Sequence, residues 1–209
     1  MWSLGKSGAS REAFDLPLFP LNTVLFPGGL LPLRIFEQRY IEMAKACLKD
    51  ARPFGVCLIT RGDEVATPAS APPSFSTLGT QATLSAWDMP QLGILHVTAV
   101  GGDRFQMRAH RVEASGLVVA EVVNIPAEPA LPLHERFQPV AKLLELMATR
   151  TGPQQFPESH AYDDASWVGY RLAEMLPLPL SIKQGMLEIN DAEMRLSLLQ
   201  KFLQQQGLV

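Results

Sequence analysis

Three prolines within seven residues, Pro126, Pro129 and Pro132, separate two kinds of sequence. Ahead of them, short runs alternate polar and apolar residues with a period of two. Beyond them, apolar residues recur at helical spacing. Proline fixes its own φ and drives the preceding residue out of the α region, so neither pattern continues through the cluster. The 209 residues are therefore expected to form an α+β protein. Its parts are an extension over 1–13, a β-rich lobe over 14–125, a Pro-rich linker over 126–132 and a helical lobe over 133–209. Charge changes at the same place. Residues 1–125 carry 11 basic and 11 acidic side chains, whereas residues 126–209 carry 7 and 10.

In the first lobe, Pro17 and Pro20 hold Leu16 to Leu21 extended. Pro27-Gly28-Gly29 signals a turn, and Leu31 to Ile35 a second strand that Pro32 confines to an edge or a strand start. From Glu37 to Lys49, Tyr40, Ile41, Ala44 and Leu48 share one helical face, and Arg52-Pro53 ends the helix. Phe54 to Ile59 is a continuous apolar run, as in a strand buried on both faces. Thr77 to Trp87 and Leu92 to Val100 are strands joined through Met89-Pro90. Gly101-Gly102-Asp103 then signals a hairpin turn. In the following strand Phe105, Met107 and Ala109 point in, while Arg104, Gln106, Arg108 and His110 point out. Leu117 to Ile125 is the last strand. Six or more short strands with one inserted helix suggest a closed or nearly closed barrel, which removes exposed edges.

The second lobe reads as one-sided helices that must pack on a neighbour, hence a small bundle. Phe137, Val140, Leu144 and Met147 form one stripe. Trp167, Arg171, Leu172 and Met175 form another, with Asp163 and Asp164 available as N-caps. Ser181/Gln184 and Asn190/Glu193 have capping-box spacing. Met194, Leu198, Leu199, Phe202 and Leu203 face inward from the terminal helix.

Signatures of chemistry are scarce. The net charge of −3 gives no overall attraction for nucleic acid or anionic lipid. Cys47 and Cys57 cannot build a disulfide framework and read as reduced thiols. No apolar run reaches the roughly 18 residues of a membrane span. Met1 to Glu12 lacks the apolar core of a secretory signal, so a cytoplasmic location is expected. There is no phosphate-binding loop, dinucleotide fingerprint, nucleophile elbow or His-Glu-x-x-His motif. His96, His110, His134 and His160 are scattered, and neither Ser181 with Lys183 nor Asp163 with Asp164 makes a site. No cofactor, metal or catalytic residue is expected. The one basic concentration, Arg104, Arg108, His110 and Arg111, would hold phosphates if it formed an open face with Phe75 or Trp87 nearby to stack on bases. Asp103 and Glu113 beside it favour a plain solvated strand face.

The stretch LPLFPLNTVLFPGGLLPLRIFEQRYIEMAKACL, Leu16 to Leu48, resembles the N-terminal domain of the Lon ATP-dependent proteases in its stand-alone bacterial form. Gly55-Val56, Leu78-Gly79-Thr80 and Gly102-Asp103-Arg104-Phe105 extend the likeness. So do Leu172 to Pro177, Lys183-Gln184, Leu187-Glu188 and Arg195-Leu196. It covers about residues 14 to 206. The resemblance implies a PUA-like β pseudobarrel followed by a helical bundle. Full Lon proteases continue into an ATPase and a Ser–Lys protease module, neither of which is expected here. What the resemblance carries over is a non-enzymatic module that binds unfolded or tagged polypeptide, or that assists a separate protease, with self-association also admitted.

Within the motif, Leu18, Leu33 and Ile35 read as core. Phe26, beside the Pro27 turn, is the expected exposed apolar contact. Phe26, Pro27, Phe36 and Tyr40 are the candidate peptide-binding residues. Glu37, Arg39 and Arg104 are expected to tie the helix start to the hairpin by charge. The alternative reading is RNA binding on a face of Arg104, Arg108 and Arg111, with nucleic acid the less favoured partner and no membrane contact expected.

Overall fold

A computed structural model describes residues 12–62, 64, 73–151, 156–157 and 159–209. The expected extension lies outside the described residues as far as Arg11. The strands are β1 (Phe14–Leu21), β2 (Leu30–Ile35), β3 (Phe54–Arg61), β4 (Ser74–Phe75), β5 (Leu78–Gln91), β6 (Ile94–Val112) and β7 (Val118–Asn124). Helix α1 (Gln38–Asp50) follows β2. After β7 come α2 (Gln138–Ala148), α3 (Ala165–Met175), α4 (Leu180–Glu188) and α5 (Ala192–Gln205). Among the described residues no helix is long and apolar enough to cross a membrane.

Strands β1, β7, β6, β5 and β3 pair in that order, mostly antiparallel. Parallel pairing of β1 with β3, from Leu18 opposite Gly55 to Leu21 opposite Leu58, closes the ring. Strand β2 stands off the ring and pairs with the first half of β6. All six residues of the run Phe54 to Ile59 are buried, as the unbroken apolar sequence requires. Inside the ring lie Leu16, Leu18, Cys57, Phe105 and Val122. Helix α1 covers one side, burying Tyr40, Ile41, Met43, Ala44 and Cys47. Its face is rotated from the expected one, for Leu48 is only half-buried. The helix ends where Ala51 takes a left-handed conformation, φ 51°, ahead of Arg52-Pro53.

Gly101-Gly102-Asp103 is not a turn. The chain runs straight through it as the 19-residue β6, and the hairpin lies between Gln91 and Ile94, where Gly93 has φ 85°. Gly101 is there for close approach. A Cβ on it would collide with the Phe26 carbonyl oxygen. Its own N–H donates to Gly29 O (2.9 Å), and its carbonyl accepts from Gly28 N–H (2.7 Å). Ala109 is exposed rather than inward, because a register shift between Met107 and Ala109 breaks the alternation.

Asp164 caps α3, accepting from Trp167 N–H at 2.7 Å. The other two expected caps fall elsewhere. Pro179 precedes α4, and Asp191, not Asn190, caps α5 through Met194 N–H. The helices share a core of Val140, Leu144, Val168, Leu172, Leu196 and Leu199, into which the loop between β1 and β2 inserts Val24 and Phe26.

Candidate functional site

The strands and helices meet around one carboxylate. Glu128, in the proline-rich connection after β7, has only 4% of its side chain exposed. It accepts from Arg195 of α5 (Nη1 to Oε2, 3.1 Å), from Ser166 Oγ (2.6 Å) and from Tyr170 OH (2.7 Å). Arg195 Nη2 is also bonded to it. Arg104 of β6 stands 3.6 Å from Oε1. Both guanidiniums have further acceptors. Arg104 donates to Leu187 O (2.8 Å), Ile189 O (3.1 Å) and Asn190 Oδ1, while Arg195 Nε donates to Met186 O (3.0 Å). The Arg195 guanidinium also lies 3.9 Å from the Tyr170 ring centroid. Burial works to raise the pKa of Glu128. The hydrogen bonds from Arg195, Ser166 and Tyr170 and the charge of Arg195 outweigh it, so the carboxyl stays below its ordinary range. Burial pushes the Tyr170 phenol well up.

Arg104 is therefore neither a solvated strand residue nor the partner of Glu37. It leaves the ring outward, as its alternation predicts, but enters the helical layer. Glu37 pairs with Arg39 instead (2.8 Å), and Arg39 donates to Gly116 O (2.8 Å), so the helix start is tied to the β6–β7 turn. The arginine face of the RNA reading does not form. Arg104 is buried, Arg111 is paired with Asp15 at 2.7 Å, and Arg108 is exposed, with no ion pair among the described residues.

Two of the four candidate peptide contacts are buried. Phe26 is fully enclosed, 5.8 Å from the Tyr170 ring, because its turn is pinned to β6 and its side chain fills the helical core. Tyr40 is stacked on Phe19 at 4.1 Å. Pro27 is half-buried. It lines a cleft of about 320 Å³ between strands and helices, with Gly28, Asp103, Arg104, Trp167 and Tyr170. Phe36 stays 56% exposed, and Trp87, on β5, 62%.

Each ring lines a groove that reaches β2. A groove of about 610 Å³ runs across β2, β6 and β5. Its floor is two cross-strand rows, Pro32–Thr98–Ala86 and Arg34–His96–Asp88, set by the pairing registers. A second groove of about 190 Å³ lies between β2 and the end of β1, lined by Phe19, Leu21, Phe36 and Glu37. The grooves share Pro32, Leu33 and Arg34. A third, of about 480 Å³, runs beside α1 past Ala46, Met43 and Leu117. Among the described residues no three His, Cys, Asp or Glu side chains converge as metal ligands, and both cysteines are buried and free.

The family described as the ATP-dependent protease La (LON) substrate-binding domain matches residues 15–205. The chain belongs to that family. A Lon N-terminal domain protein from Xanthomonas campestris is similar in structure, with a TM-score of 0.71 and 32% identity, covering 90% of this chain and 98% of that one. The N-terminal domain of a Mycobacterium avium complex Lon protease shares the fold, with a TM-score of 0.52 and 16% identity over 89% and 96% of the two chains. The Lon protease of Paraburkholderia phytofirmans is 30% identical over 206 residues, 92% of this chain and 25% of that protease. The chain thus spans about a quarter of the length of the curated Lon proteases it matches. The motif Leu16–Leu48 that suggested the family supplies β1, the pinned turn, β2 and α1, the frame of the β2 face.

Proposed function

We propose that this chain is a non-enzymatic substrate-recognition module that binds unfolded or tagged polypeptide, on its own or in the service of a separate protease. In this reading the strand ring is the family's PUA-like pseudobarrel and α2–α5 its bundle, with 126–132 as the join. The observation that carries the proposal is the pair of exposed rings, Phe36 and Trp87, lining two grooves that meet on β2 in a chain of the substrate-binding family. Aromatic side chains give large apolar area at low entropic cost and dominate binding hot spots. An unfolded client must also be ordered on binding, so the affinity is modest.

The test is fluorescence anisotropy with labelled casein as the unfolded probe. Phe36→Asp and Trp87→Asp are each expected to weaken binding about tenfold, the loss of one apolar anchor. Ala46→Glu, in the α1 groove, is expected to bind like the wild type. Absence of saturable binding, or wild-type affinity in both aromatic variants, overturns the proposal. Loss confined to Ala46→Glu overturns the β2 site.

A further inference from the structure

The turn that carries Phe26 into the helical core is held from the other side by three charged residues. Arg171 of α3 is fully buried, and its Nη2 donates to Pro27 O at 2.8 Å. Its Nε lies 3.3 Å from Oε2 of Glu174, one turn on. Lys183 of α4 donates through Nζ to the backbone carbonyl of Glu174 at 2.6 Å. A fifth of the Glu174 side chain reaches solvent, but Oε2 is enclosed, and among the described residues it accepts no hydrogen bond and neither Nε nor Nη1 of Arg171 finds an acceptor. Oε1 is packed against the turn. A Cβ on Gly29 would collide with it and would stand 3.0 Å from the Phe26 carbonyl oxygen. The turn therefore completes the enclosure of this carboxyl, so a charge on Glu174 gains hydration when the turn lifts and a neutral group does not.

We propose that the Pro27–Gly29 turn, Arg171 and Glu174 form a proton-operated latch: the turn is held on α3 while the Glu174 carboxyl is protonated, and the hold weakens when it ionises. The charged groups facing this carboxyl are Arg171 on its own helix and Lys183 on α4; the turn contributes none. Their attraction for the ionised form is outweighed by burial, which raises the group to about 7, and burial lowers both Arg171 and Lys183 from their ordinary values. The sign follows from linkage. A carboxyl whose pKa is higher in the latched state than in the released one stabilises the latch at low pH. That contribution drains away as pH rises from the ordinary carboxylate range through 7. Because Pro27 and Gly28 form one wall of the 320 Å³ cleft and Trp167 and Tyr170 of α3 another, the latch also sets the width of that cleft near neutral pH. The proposal is independent of the β2 face.

The measurement is amide hydrogen exchange at Gly28 and Gly101, whose N–H groups bond to Gly101 O and Gly29 O, corrected for intrinsic rates between pH 6 and pH 8. Protection in the wild type is expected to fall roughly tenfold across that range. In Glu174→Gln, a neutral group of the same shape, it is expected to stay at the low-pH level. A carbon-13 titration of the Glu174 carboxyl in the unaltered protein supplies a second reading, with an expected midpoint near 7. Protection independent of pH in the wild type, the same pH dependence in Glu174→Gln, or a midpoint in the ordinary carboxylate range overturns the latch.

Discussion

Glu128→Ala is expected to lower the free energy of unfolding by about 3–5 kcal/mol, because it leaves two guanidiniums buried without their shared counter-charge. Arg195 is fully enclosed and Arg104 nearly so. Ser166 and Tyr170 lose an acceptor in the same step. Backbone carbonyls at Met186, Leu187 and Ile189 still receive both arginines, which keeps the loss from growing further. Glu128→Gln retains shape and one acceptor oxygen, so it is expected to lose less than the alanine. Replacing Arg195 together with Glu128 by apolar groups removes one of the two stranded charges, and Arg104 keeps its carbonyl acceptors. Arg195→Met combined with Glu128→Leu should therefore cost clearly less than the two single changes added together. The pH profile carries the opposite sign to that of Glu174. Glu128 is held below its ordinary range, so its contribution is present above that range and disappears as pH falls through the lower folded value. The wild type should therefore lose stability toward acid more steeply than Glu128→Ala. Urea unfolding across pH measures both effects. A loss below about 1 kcal/mol would mean that the hub is not what joins strands to helices.

Why this hub escapes a sequence reading is a matter of range. Arg104 reaches the carbonyls of Leu187 and Ile189, more than eighty residues away, and Glu128 stands alone among prolines. Period-two alternation places Arg104 outside the ring, and outside is where it is. Alternation does not reveal that a helical layer covers that spot. Phe26 fails for the same reason, since a hydrophobe beside Pro-Gly-Gly has the local chemistry of an exposed turn, and only the later helices give it a core to enter. Features set locally were legible: the six-residue buried run in β3, the proline-delimited β1, the Asp164 cap and the end of α1 at Arg52-Pro53. On the β2 face, Phe36 could be singled out from the family motif, whereas Trp87 joins it only through the register that lays β5 and β2 on either side of β6.

Three glycines with different surroundings give the sharpest remaining contrast in stability. Gly101→Ala is expected to cost about 3 kcal/mol or more, near the upper end for a single methyl group. The new Cβ collides with the carbonyl oxygen of Phe26, a backbone atom that cannot rotate away. Relief requires the turn to lift off β6. That strains the hydrogen bonds between Gly101 and both Gly28 and Gly29, and it withdraws Phe26 from its place beside Tyr170. Gly93→Ala meets no atom within 4 Å, but φ 85° is costly for any residue with a side chain, so a loss of about 1–2 kcal/mol is expected. Gly185→Ala sits inside α4 with ordinary helical geometry and open space around it, and is expected to gain about 0.5–1 kcal/mol. Urea midpoints of the three variants should therefore fall in the order Gly101→Ala, Gly93→Ala, wild type, Gly185→Ala. If Gly101→Ala unfolds no earlier than Gly93→Ala, Gly101 is not the place where β6 is pressed against the turn that seats the helices.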